Sequence, residues 1–79
     1  MNKQRRLELS KVISMIEEVK EVLETLKEEE EESRDNIPEN LQGSSRYEMA
    51  DAACDNLDTA VSSLEEATEA ITEAMGEGE

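Results

Sequence analysis

Histidine, tryptophan and phenylalanine do not occur in this chain, and tyrosine and cysteine occur once each, as Tyr47 and Cys54. Without histidine, imidazole acid–base catalysis and His-ligated metal sites are excluded. A lone cysteine cannot form an intrachain disulfide, which suits a reducing cytosol. With no imidazole to activate it, Cys54 reads as a small buried apolar residue and not as a nucleophile. No apolar run approaches the roughly 20 residues that span a bilayer. No apolar h-region follows the basic N-terminus, so no secretory signal is expected. Glycine occurs three times and proline once, with no Gly-rich phosphate loop among them. The expectation is a protein that is not an enzyme and needs no cofactor and no metal.

What is present is charge and aliphatic side chains. The 79 residues include 22 acidic and 8 basic ones, a net charge of −14. Residues 1–11 hold Lys3, Arg5, Arg6 and Lys11 against Glu8, a net +3, so the remainder carries −17. Such a surface repels nucleic acid and anionic membrane, so neither is an expected partner. It attracts a basic protein surface, including a groove built to hold DNA. A chain this short buries only about 60% of its unfolded surface, and it gains from association.

The apolar residues are periodic. Leu9, Val12, Ile16, Val19, Leu23 and Leu26 step by three and four, the a/d seam of a coiled coil, and predict a first helix over about 4–34. Ala53, Ala60, Ala67 and Ala74 recur every seven residues, with Leu57, Leu64 and Ile71 four after the first three, predicting a second helix over about 45–75. An acidic tail at 76–79 is expected to fray. Between the helices, the Asn36–Glu39 stretch places Pro38 in the first turn of a short helical segment ending at Gly43, and Ser45-Arg46-Tyr47-Glu48 matches a capping box. Ile37 and Leu41, four apart, are expected to plug this end.

A short connection makes the two helices antiparallel. One register aligns the chosen seams: Leu9 with Ala74, Val12 with Ile71, Ile16 with Ala67, Val19 with Leu64, Leu23 with Ala60, Leu26 with Leu57. The fold class is therefore all-α, a single antiparallel helical hairpin. Apolar residues outside this seam, Ile13, Met15 and Val22 on the first helix and the seven-spaced stripe Tyr47, Cys54, Val61, Thr68 and Met75 on the second, predict a homodimeric four-helix bundle that buries them, the alternative being a monomer with some exposed aliphatic side chains.

The acids form the candidate binding surface. Glu28, Glu29, Glu30, Glu31 and Glu32 are consecutive, so they fan around a helix and cannot form one face. Either the run is the solvated end of a helix, or it joins Asp35, Glu39, Asp51, Asp55 and Asp58 at the turn as one electrostatic surface that imitates spaced phosphates. Asp51, Asp55 and Asp58 lack the loop geometry of a calcium hand and predict only a diffuse cation cloud.

The stretch NIPENLQGSSRYEMADAACDNLDTAVSSLEEATEAI, about half the chain, resembles small acidic two-helix proteins of bacteriophages and prophages of Gram-positive bacteria. The shared pattern is an N-I-P-E-N-L-Q turn, then S-x-R-Y-E-x-A, carried here by Asn36 to Gln42, Arg46, Tyr47, Glu48 and Ala50. That group is mostly of undefined function, so the resemblance implies a phage-type origin and a bacterial cytoplasm, and no mechanism. By analogy with small acidic phage proteins it implies an inhibitor of a host defence nuclease or another host DNA-binding protein. The alternative is a coiled-coil adaptor that binds through its apolar stripe.

Overall fold

The computed structural model describes residues 1–76, so all but Gly76 of the expected 76–79 tail lies outside the described residues. Helix α1 spans Lys3–Asp35, a short 3₁₀ turn spans Glu39–Leu41, and helix α2 spans Ser45–Met75. No strand occurs among the described residues, and the two helices pack against each other along a rod of 59 × 15 × 14 Å. The expected all-α hairpin is present, with boundaries within one residue of those predicted.

The caps differ in one detail. Asn2 caps α1 by accepting a hydrogen bond from the Arg5 backbone N–H at 2.7 Å. Ser44, one residue before the expected Ser45, caps α2 by accepting from the Tyr47 N–H at 3.3 Å. The capping hydroxyl must sit three residues before the donor it satisfies, and starting α2 at Ser45 leaves Glu48 one position too late for a capping box. At its other end α2 closes on Gly76, whose φ of 73° lies in the left-handed region that glycine adopts without steric cost.

The seam is rotated from the expected one on both helices. On α1, Arg6, Leu9, Ile13, Ile16, Lys20, Leu23, Lys27, Glu30 and Arg34 are shielded from solvent in steps of three and four, with Val12, Glu24 and Glu31 half-buried beside them. Leu9, Val12, Ile16 and Leu23 are kept. Val19 and Leu26 are not: they are 51% and 47% exposed. On α2, Leu57, Leu64 and Ile71 are kept, and Cys54, Val61, Thr68 and Met75 are their companions; Ala53, Ala60 and Ala67 are half-buried at the flank and Ala74 is exposed. Cys54 and Val61 are among the most buried side chains of the described chain, at 3% and 6% exposure. Thr68 fits this seam because its hydroxyl donates to the Leu64 carbonyl oxygen at 3.1 Å.

Three ion pairs show what the rotation gains. Lys20 reaches Glu65 at 3.4 Å, Lys27 reaches Asp58 at 3.1 Å, and Arg34 reaches Asp51 at 2.9 Å. Each step of seven up α1 is matched by a step of seven down α2, so the pairs form a ladder along one edge of the hairpin. The long stems lie over the seam while the charged heads reach carboxylates. Cys54 and Val61 also bury more apolar surface than the alanines they displace. Ile37, at 7% exposure, plugs the turn end as expected; Leu41 does not, being 49% exposed.

Candidate protein-binding surface

The rotation sorts the hairpin into two unlike sides. The ladder side holds Asp51, Asp58 and Glu65 of α2. The opposite side holds the aliphatic residues of α1 that the seam leaves out: Met15 at 57%, Val19 at 51%, Val22 at 58% and Leu26 at 47% exposure. One heptad beyond Leu26 is Ser33, which lines an open recess of about 540 Å³ together with Glu30, Ile37, Ser45, Arg46, Met49, Ala50 and Ala53. Ser33 and Ala53 facing one recess put the α1 aliphatic stripe and the α2 alanine series on the same side. Met49, 72% exposed, extends that side at the turn.

Of the residues expected at a dimer interface, only Met15 and Val22 lie on this open side. Cys54 and Val61 are buried between the helices of a single chain, and Tyr47 and Met75 of the same stripe are half-buried. The apolar residues of α1 and α2 occupy several heptad positions each. The sequence analysis took the alanine repeat as the seam, and the chain uses it as a flank.

Of the expected acidic surface, Glu28, Glu29, Glu32, Asp35, Glu39, Asp55 and Asp58 are exposed, and Glu30, Glu31 and Asp51 are half-buried. These acids are not equivalent. Asp51 and Asp58 answer Arg34 and Lys27, and Asp35 accepts from the Arg34 guanidinium at 3.1 Å. The hydrogen bond to Asp58 pushes the Lys27 ammonium above its ordinary range. Hydrogen bonds to Asp35, and then to Asp51, do the same for Arg34. Glu48 was not among the expected site residues, but it is exposed and shares a heptad position with Asp55 and Glu69, seven and twenty-one residues further along α2. That spacing was visible in the sequence. Among the described residues no group of three or more Cys, Asp or Glu is arranged to hold a metal ion, and no helix is long and apolar enough to cross a membrane.

Burial pushes the Cys54 thiol above its ordinary pKa of about 9. The folded chain therefore keeps this proton at a pH where the unfolded chain has lost it, and stability falls as pH rises past the ordinary thiol value. Lys27 acts in the same direction at higher pH, since its hydrogen bond to Asp58 holds only while the ammonium is charged. Thermal unfolding from pH 8 to 11 is expected to show a falling midpoint, and Cys54→Ala is expected to remove the part that begins near pH 9. A wild-type midpoint that rises over this range contradicts the placement of Cys54 between the helices.

The chain matches no protein-family model, no curated protein and no solved structure.

Proposed function

We propose that this chain is a non-enzymatic acidic rod that binds and blocks a basic protein surface in the way DNA would occupy it, and that it acts as a homodimeric four-helix bundle. The observation that carries this reading is linear charge density. Residues 1–76 carry 20 acidic and 8 basic residues, a net −12, and over a 59 Å rod that is one charge per about 5 Å. Two rods side by side give 24 over the same length, one per about 2.5 Å. Duplex DNA carries one per about 1.7 Å of axis. The charge exceeds what solubility asks of a small domain, a net magnitude of about 2–8.

The resemblance of the turn and α2 to small acidic phage proteins supports a host DNA-binding protein, such as a defence nuclease, as the partner. The setting would then be the cytoplasm of an infected or lysogenic bacterium. The exposed aliphatic side of α1 favours a second reading, a coiled-coil adaptor that binds through that face and uses its charge for solubility.

Salt and competitor DNA separate the two readings. Immobilised chain is incubated with bacterial lysate at 50 mM NaCl, washed at 500 mM NaCl, and in a parallel sample challenged with duplex DNA. Mimicry predicts that captured proteins leave in both washes, because exposed charges are screened beyond a Debye length of about 10 Å at 0.1 M salt. Retention through both washes assigns the binding to the apolar face.

A further inference from the structure

The open side of the hairpin has the wrong composition for a surface that faces water. Along α1 its exposed residues read Arg5, Met15, Val19, Val22, Leu26, Glu29: an aliphatic centre with a cation at one end and an anion at the other. Beside it on α2 runs the series Ala53, Ala60, Ala67 and Ala74. The chain exposes 5838 Å², whereas a compact monomer of 8.9 kDa exposes about 4,800 Å² by the usual scaling. The excess, about 1,000 Å², is close to the roughly 800 Å² that one partner buries in a stable interface.

We infer that a second copy of the chain covers this side, lying antiparallel to the first, with the basic residues 3–11 of each copy over the Glu28–Glu32 end of the other. The inference deepens the self-association in the proposed function by naming the face and the orientation, and it gives the glutamate run a contact.

Charge sets the orientation. Residues 25–55, the turn end, hold Lys27, Arg34 and Arg46 against ten acids, a net −7. Residues 1–14 and 66–76, the open end, sum to zero. A parallel pair places two −7 ends side by side. An antiparallel pair places each beside a neutral end, and sets the +3 segment of one α1 along the glutamate run of the other. Arg5 and Glu29 terminate the aliphatic stripe on its own face, so a two-fold axis midway between them, near Glu17, brings Arg5 of each copy towards Glu29 of the other. The same axis stacks α1 on α1 and α2 on α2. Alanine at every seventh position then lets the two α2 helices approach near the short end of the usual 8–10 Å separation.

Two measurements on the full chain alone test this. The first places a nitroxide at position 49 by Met49→Cys in a Cys54→Ala background and reads the distance between the two copies. With the two-fold near Ala67 of α2, about 1.5 Å per residue places the labels roughly 50 Å apart. A distance under about 25 Å indicates parallel hairpins and overturns the inference, as does a sedimentation mass equal to the 8.9 kDa chain at micromolar concentration. The second is a charge exchange. Arg5→Glu and Glu29→Arg are each expected to weaken association several-fold, and the double variant to restore it. A double variant weaker than either single one rejects the contact. Neither measurement involves a basic partner, so their failure leaves the acidic-surface reading standing, and failure of capture by salt and DNA leaves the dimer standing.

Discussion

Val61→Asp is expected to abolish the hairpin, while Val22→Asp leaves it helical and disturbs only association. The substitutions are chemically identical and the sites differ only in heptad position. Val61 is 6% exposed between the helices and Val22 is 58% exposed on the open side. A carboxylate at Val61 is buried in the seam, where Lys20 and Lys27 are already engaged by Glu65 and Asp58, which costs several kcal/mol. A domain of this length has about 4–12 kcal/mol of stability in total, at 0.05–0.15 kcal/mol per residue. This one sits low in that range, because among the described residues only Ile37, Cys54 and Val61 are buried. Far-UV circular dichroism at 20 °C should fall below half helix for Val61→Asp and stay near the parent for Val22→Asp. Measurement across protein concentrations separates the causes: helix lost through failed association returns on concentrating the sample, and helix lost through a broken seam does not. The opposite result, a Val61→Asp chain that stays helical and a Val19→Asp chain that unfolds, restores the seam through Val12, Val19 and Leu26. Leu23→Asp cannot decide between them, since Leu23 lies in both seams.

That contrast also shows how far the sequence could be read. Helix limits, the antiparallel turn and the role of Ile37 were legible because each depends on local signals: heptad spacing, Pro38 and a serine cap. Rotation of the helices about their own axes was not, because periodicity marks an apolar stripe only when the stripe is narrow. On α1, apolar residues fall at 9, 16 and 23, at 12, 19 and 26, and at 15 and 22, so more than one stepping of three and four fits. The deciding information was in the charges. Lys20, Lys27 and Arg34 are spaced by seven, as are Glu65, Asp58 and Asp51, and only a seam beside both series lets them meet. The alanine series at d resembles a close-packing device, and the seven-spaced stripe through Cys54 and Val61 fits a dimer interface as well as a seam within one chain. Of the candidate surface, the acids could be counted in the sequence. Their division into those held by internal ion pairs and those left outward depends on the rotation, and could not be read without it.

The acids left outward are where binding should fail when charge is removed. Changing Glu28, Glu32, Glu39, Glu48 and Asp55 together to amides is expected to abolish capture of a basic partner. These five are exposed, and Asp51, Asp58 and Asp35 are spared because each answers a cation within the chain. Exposed charge pairs contribute about 0.2–1 kcal/mol each. Single replacements should therefore weaken binding by less than about 1 kcal/mol, and the five together by about 1–5 kcal/mol, from several-fold to more than a thousandfold. Folding should not suffer. Glu28 and Glu32 repel each other one helical turn apart, and removing both charges lowers the self-repulsion of a chain at −14. The thermal midpoint is expected to hold or rise, which separates lost binding from lost structure, and sedimentation of the variant reports separately how far losing Glu28 and Glu32 weakens the pairing that Arg5 and Glu29 still support. If the five-fold variant holds its partner at full strength and through high salt, the carboxylates only keep the rod in solution. The glutamate run is then a solvated helix end, and the aliphatic side of α1 is the surface that binds.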